Sequence, residues 1–530
     1  MDILTNGGPL MTEKTIRILA TSDIHGYIMP TTFRNDHNAA LGLAKLATII
    51  QEKRLEGPTI LIDNGDFIQG SPLTYYHQKF QVQEPNPLIQ VANDLQYDAM
   101  VFGNHEFNYG LPALQSVISQ SQFPWLGANI LTNDGKHFTK PYIIKEIEDV
   151  RIGILGVTTH FVTKWEEPQH IQGLRFEDAF LSAKYWAQWI RANEQIDVLI
   201  LCYHGGFERS LETKELLETE NGENQGYRMC TEIDEVDIVI SGHQHREIST
   251  TIMGKSVVQP GTKGTCLASI ELKMMMDSQK KIHSITHTPS LIYVTADTEP
   301  KTSVCNMISP TFEKTETWLD KTIGIIHGNM QIEDSFLARI QEHPYIEFIN
   351  RIQMEAYGAA ISCTALFHNE RGGFNQEVTM RDIVTNYIHA NTLKVLRLSG
   401  HDILLALEQS ATYFTVEAGK LTVAESFLYP KAQPYNYDMW EGIEYILDIS
   451  KPIGERVTKL TINDVPIRMD EEFEVVMSSY RATGAGNFDF LRNRPVVKEI
   501  QFDMTELIAN YILKHPSIHA TCNDNWQVTL

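Results

Sequence analysis

Positive charge is scarce in these 530 residues: 44 Lys and Arg stand against 67 Asp and Glu, a formal net charge of −23. A nucleic-acid polymer is gripped through its phosphates by stripes of Lys and Arg, so this balance excludes such a polymer as the expected partner. Cysteine is scarce as well. Cys202, Cys230, Cys266, Cys305, Cys363 and Cys522 are scattered without a CxxC pair, which excludes a disulfide scaffold and a structural zinc ribbon. They read as reduced, packed thiols, and a cytoplasmic location is the expectation. No apolar run reaches 18 residues, so neither a membrane-spanning helix nor a membrane partner is expected. Residues Met1 to Ala20 lack a basic stretch leading into seven apolar residues, so no secretory leader is expected, with Met11 as an alternative start to Met1. Nothing here fixes an oligomeric state.

A chain this long exceeds one ordinary hydrophobic core, and its 42% hydrophobic and 21% charged residues are those of a globular protein. In the N-terminal half, short apolar runs with strand character end repeatedly in the same kind of turn. Thr15–Ala20 leads into Asp23-Ile24-His25, and Thr59–Ile62 into Asp63-Asn64-Gly65-Asp66. Ala99–Phe102 leads into Gly103-Asn104-His105-Glu106. Beyond Val150–Val157 and a helical stretch near Asp178–Arg191, Asp197–Cys202 leads into His204, and Val236–Ile240 into Gly242-His243-Gln244-His245. In open α/β sheets ligands bind beyond the carboxyl ends of the strands, so these turns are expected to converge on one rim.

The residue types on that rim are Asp, His and Asn. Carboxylate, imidazole and amide oxygen together suit Mn, Fe, Co or Zn better than Ca or Mg. Two such ions activate a water as nucleophile and clamp phosphoryl oxygens, so a small phosphate ester remains admissible in an acidic protein because the ions reverse the local field. A lone His at any of these places is a plain turn residue; the repetition is what carries the metal reading.

Asp23-x-His25, Gly65-Asp66, Gly103-Asn104-His105-Glu106, His204 and Gly242-His243-x-His245 together resemble the calcineurin-like metallophosphoesterase signature. The resemblance implies a β-sandwich flanked by helices. It also implies one ion held by Asp23, His25, Asp66 and His245, and a second held by Asp66, Asn104, His204 and His243, with Asp66 shared. His105 is then the unligated catalytic residue that assists the phosphate.

The C-terminal half carries none of these motifs. Asn369-Glu370-Arg371-Gly372-Gly373 offers a glycine turn beside a cation, expected to bring backbone N–H groups to a ligand. Tyr437 lies in the aromatic run Tyr435–Gly442, and Tyr480 precedes the glycine turn Thr483–Gly486. Two tyrosines on separate loops form a slot for a flat ring, where base stacking contributes about 1–3 kcal/mol. This half resembles the substrate-binding domain of the bacterial nucleotidase family, in which aromatic residues at the positions of Tyr437 and Tyr480 sandwich the base. The resemblance is nearest to the 2′,3′-cyclic-nucleotide 2′-phosphodiesterase/3′-nucleotidase branch. Asn108 and Gly486 stand where the 5′-nucleotidase branch usually has Asp.

The expected architecture is α/β (α+β overall), with a metallophosphoesterase domain over 12–325, a helical linker or hinge over 326–345 and an α/β nucleotide-binding domain over 346–530. The expected activity is hydrolysis of nucleotide phosphoesters with two divalent ions. The alternatives are a 5′-nucleotidase or UDP-sugar hydrolase and, from another class, a catalytically silent nucleotide-binding sensor.

Overall fold

A computed structural model describes residues 11–34, 36–216, 222–387, 391–500 and 504–530. The first of the two alternative starts, Met1, and the first ten residues lie outside these. The chain divides into two compact units between Glu313 and Lys314.

The first unit is built on two six-stranded sheets. One runs in the order Ile282–Tyr293, Cys266–Asp277, Met11–Thr21, Thr59–Asp63, Ala99–Val101, Trp125–Leu126, its last four strands parallel. The other runs Glu247–Ile252, Lys255–Pro260, Ile238–Ser241, Val198–His204, Val150–Thr158, Tyr142–Ile147, with a parallel centre. Alternate residues of both sheets meet in one core: Ile16, Ile18, Ile60, Ile62 and Val101 face Ile152, Ile154, Ile200, Ile238 and Ile240. The opposite face of the second sheet, with Leu199, Leu201 and Val239, packs under the helix Ala179–Asn193 through Phe180, Ala183, Ala187 and Ile190. Asp178 caps that helix by accepting from Leu181 N–H. Covered on both faces, the strand Val198–His204 is buried throughout, which is why its sequence is a continuous apolar run rather than an alternating one. Each fully buried aliphatic side chain contributes about 1.5–3 kcal/mol. The sandwich therefore fixes the strand ends firmly.

The second unit centres on a mixed five-stranded sheet in the order Asp438–Glu441, Ile361–Ala365, Glu472–Ser478, Leu393–Ser399, Val496–Ile500. The helix Pro344–Tyr357 begins with proline in its first turn and ends on Gly358 at φ +86°. Residues 326–345, expected as a helical linker, are something else. They hold the end of the strand Thr322–His327, the strand Met330–Ile332, the short helix Leu337–Ile340 and the start of Pro344–Tyr357. The β-branched run Thr322-Ile323-Gly324-Ile325-Ile326 pairs with Glu377–Thr379 and Ser517–His519. Those partners lie far along the chain, and the polar helical flanks conceal them locally. No helix among the described residues is long and apolar enough to cross a membrane, and all six cysteines are free thiols.

Candidate metal centre

The parallel strands of both sheets deliver their following turns to one rim of the first unit. Asp23 and His25 follow Thr21, Asp66 follows Asp63, Asn104 follows Val101, and His243 and His245 follow Ser241, while His204 ends its own strand. The turns are tied to each other: Asp23 N–H donates to Gly65 O at 2.8 Å and His25 N–H to Asp66 O at 2.8 Å. His105 N–H donates to Asp66 Oδ1 at 2.7 Å, and His243 N–H reaches both oxygens of Asp23 at 3.1 Å.

Five of these residues, Asp23, His25, Asp66, His243 and His245, hold left-handed backbone at φ between +49° and +68°. Such backbone is uncommon for residues with a side chain and clusters at functional sites. A glycine is needed where two turns touch. A Cβ on Gly103 would overlap the Asp66 carboxylate and its backbone nitrogen.

Two groups of donor atoms result, Asp23 with His25 and His245, and Asp66 with His204 and His243. In the first, His25 Nε2 and His245 Nε2 face one another at 3.0 Å, with His245 Nε2 3.4 Å from Asp23 Oδ1. In the second, His204 Nε2 is 3.2 Å from Asp66 Oδ2, and Asn104 Oδ1 lies 2.9 Å from His243 Nδ1. Asp66 Oδ2 is also 3.9 Å from His25 Nε2, so this carboxylate stands between the groups.

Electrostatics tests whether cations belong here. Burial would raise the Asp23 carboxyl, yet its hydrogen bond to His245 and the charge of His204 hold it well below the usual range. Burial opposes the ionised form of Asp66 too, and His204 and His105 hold it well below. Burial works against a proton on His204, but Asp66 and Asp23 lift its pKa to about 10. His25, where burial outweighs Asp66, falls to about 3. The carboxylates thus demand positive charge at the centre. The fully buried His204 Nε2 lies against the Asp66 carboxylate, and His25 and His245 present nitrogens to each other. An N/O donor set of this kind fits divalent first-row ions.

His105, beside the ligand candidate Asn104, places Nδ1 2.7 Å from Asn108 Oδ1. Glu106 has a role that the sequence pattern does not reveal. Its buried carboxylate accepts from Asp66 N–H at 2.8 Å, Phe67 N–H at 2.7 Å and Gly103 N–H at 2.6 Å, clamping the second and third turns together. Asp63, two residues before Gly65, accepts from Thr21 Oγ1 and Gly65 N–H, and burial pushes its carboxyl well up. It supports the turn and sits in neither donor group.

In the second unit a small cleft is lined by Tyr435, Tyr480, Arg481, Asp438, Phe367 and Asn391, among others. Tyr480 lines it; Tyr437 does not. Tyr437 is fully buried, its ring 4.9 Å from Phe414 and 5.3 Å from Tyr413. A 3₁₀ turn over Pro434–Asn436 breaks the two-residue period just before it, so Tyr435 turns to the cleft and Tyr437 to the core. Tyr435 and Tyr480 lie 6.1 Å apart, edge to face. Arg481 fastens both loops: it pairs with Asp438 through Nε at 2.5 Å and donates to Tyr435 O at 3.1 Å and Ala485 O at 2.5 Å. Neither Arg481 nor Asp438 stands out in the sequence, since a buried ion pair across 43 positions leaves no local pattern.

In the turn at 369–373, Gly373 does not offer its N–H to a ligand. Gly373 N–H donates to Asn386 Oδ1 at 2.8 Å, and Gly372 and Gly373 are paired in a strand with Ile332 and Gln331. The Gly373 N–H is therefore spent within the fold. Asn369 and Arg371 lie outside the cleft, as do Gly372 and Gly373. The glycines serve close packing, because a Cβ on Gly373 would overlap Met330 O.

Comparison with known proteins agrees with both halves. Residues 16–247 match the calcineurin-like phosphoesterase family and residues 323–493 the 5′-nucleotidase C-terminal domain. The crystal structure of a Staphylococcus aureus protein described as a candidate 5′-nucleotidase, in complex with α-ketoglutarate, is 34% identical. It covers 98% of this chain and 100% of its own, with a TM-score of 0.89. The trifunctional nucleotide phosphoesterase YfkN of Bacillus subtilis is 28% identical over 97% of this chain, which spans only 39% of YfkN. A 2′,3′-cyclic-nucleotide 2′-phosphodiesterase/3′-nucleotidase of Haemophilus influenzae is 25% identical over 97% of this chain and 87% of its own length. A rim of carboxylate, imidazole and amide donors on a two-sheet sandwich, followed in one chain by a nucleotidase-type second unit, and matched end to end at 34% identity, places this protein in the 5′-nucleotidase family of metallophosphoesterases.

Proposed function

We propose that this protein hydrolyses nucleotide phosphoesters with two divalent ions, opening a 2′,3′-cyclic nucleotide and then removing the 3′-phosphate. The observation that carries the reading is the position of Asp66, within 3.9 Å of a donor of one group and 3.2 Å of a donor of the other.

Asp23, His25, Asp66 and His245 would hold one ion, and Asp66, Asn104, His204 and His243 the other. When bound, such a pair supplies Lewis-acid stabilisation of phosphoryl charge and a water acidified toward neutrality. The chain's own groups do the rest. His105 hands a proton to, or polarises, the leaving ribose oxygen, a contribution of about 10²–10⁴ in rate for a positioned acid. Asn108 Oδ1 accepts from its Nδ1–H, leaving Nε2 as the nitrogen that exchanges the proton. The cleft of the second unit would receive the base beside Tyr435 and Tyr480, with Arg481 holding their loops.

A 5′-nucleotidase is the second reading, favoured by the likeness to the Staphylococcus aureus protein. Phosphate release from 2′,3′-cyclic, 3′- and 5′-nucleotides, measured with Mn, Zn, Co or Fe(II) added and with chelator, separates the two. The expected order puts the cyclic and 3′-esters first, with chelator abolishing all release. Preference for the 5′-ester replaces the first reading with the second, and release that survives chelation refutes both.

A further inference from the structure

Asn108 Oδ1 can serve His105 only if the amide keeps its oxygen toward the imidazole, and an amide has two faces of equal shape. The group that selects the face comes from 58 positions further on. Asn108 Nδ2 lies 2.6 Å from Glu166 Oε2, and a carboxylate oxygen accepts there rather than donates. The other oxygen, Oε1, accepts from Glu167 N–H at 2.9 Å and from His170 Nδ1 at 2.7 Å. The Glu166 side chain is 6% exposed. With three donors around it, the carboxylate has no freedom to turn. Asn108 is thereby fixed with N–H₂ toward Glu166 and its oxygen toward Nδ1 of His105, which must then carry the hydrogen.

We infer that Glu166 is a positioning residue for the reaction: through the amide of Asn108 it fixes which nitrogen of His105 works on the leaving group. This rests on the phosphoesterase reading above, in which His105 acts on the leaving oxygen. Glu166 touches neither substrate nor ligand candidate in this role; it acts only through Asn108.

The test exchanges carboxylate and amide between the two positions. In Glu166→Gln the two donors at the Oε1 side keep the new amide's oxygen, so its N–H₂ faces Asn108 and turns that amide's oxygen away from His105. The expected result is a fall in kcat of about 10-fold or more on a 3′-nucleotide, with KM and metal content unchanged. On p-nitrophenyl phosphate the fall is expected to stay under about 3-fold, because that leaving group departs without a proton. Adding Asn108→Asp gives a carboxylate that accepts both from His105 and from the amide now at position 166. The double variant N108D/E166Q is expected to recover to within about 3-fold of wild type. Losses that merely add in the double variant, an unchanged E166Q, or an E166Q that melts early or loses metal in step with activity, overturn the inference. A wild-type protein inactive on every ester of the panel sinks the phosphoesterase reading instead, and so separates the two failures.

Discussion

The rim of the first unit and the cleft of the second hold their side chains by different means. On the rim, short turns leave the ends of parallel strands, and left-handed backbone at Asp23, His25, Asp66, His243 and His245 aims the donors inward. The strain is carried by two packed sheets and by backbone hydrogen bonds from turn to turn. At the cleft, ordinary backbone carries the tyrosines, and one buried pair, Arg481 with Asp438, sets the spacing of their loops. A site built on strand ends depends on local turn chemistry. A site built on a distant ion pair depends on the whole unit having folded.

Breaking the rim gives the largest expected effect. Asp66→Asn removes the carboxylate that stands between the two donor groups, so metal analysis is expected to show loss from both and phosphate release to stop. His105→Ala is expected to lower turnover about 10²- to 10⁴-fold with metal content intact. Equal metal loss in the two variants would erase the distinction between ligand and proton donor.

The cleft is expected to respond less, and differently at its two kinds of tyrosine. Tyr435→Ala or Tyr480→Ala removes about 1–3 kcal/mol of stacking, so KM for nucleotides is expected to rise about 5- to 150-fold while p-nitrophenyl phosphate is little affected. Tyr437→Ala is expected to lower stability by about 3–5 kcal/mol, as for other large buried aromatics, without selective loss of nucleotide binding. A selective KM effect at Tyr437 would put that ring back in the slot.

The smallest effect on activity is expected at a buried acidic group of the second unit. Burial, with Glu441 and Glu347 nearby, pushes Glu342 up to about 8 from an ordinary 4.5. Between those values the unfolded chain has released this proton and the folded chain has kept it. Stability from this group is therefore complete below about pH 4.5 and is lost as pH rises through about 8. Urea unfolding of wild type and Glu342→Gln at about pH 5 and about pH 8 checks this. The variant is expected to lose less stability across the interval, and equal losses would refute the assignment.

Much of the rim was legible because its candidate ligands recur within a few residues of apolar strand ends, as at Asp23-Ile24-His25 and His243-Gln244-His245. The residues that support it were not. Glu106 reads as part of a motif without showing which N–H groups it holds. Glu166, 58 positions from Asn108, gives no local sign at all. In the second unit, Tyr437 and Tyr435 are two residues apart in one aromatic run, and only the 3₁₀ turn over Pro434–Asn436 decides which is core. The strand Thr322–His327 was hidden in the same way, by partners far along the chain at Glu377–Thr379 and Ser517–His519.

Local chemistry was enough to read the donor types on the rim and the strands that deliver them, since strand periodicity and turn preference act over a few neighbouring residues. Packing across the fold was needed to settle which tyrosines face the cleft, where the N–H of Gly373 goes, and how Asn108 is turned toward His105. Each of these is a choice between faces of nearly equal local energy, and a hydrogen bond or a packed ring supplied from far along the chain makes it.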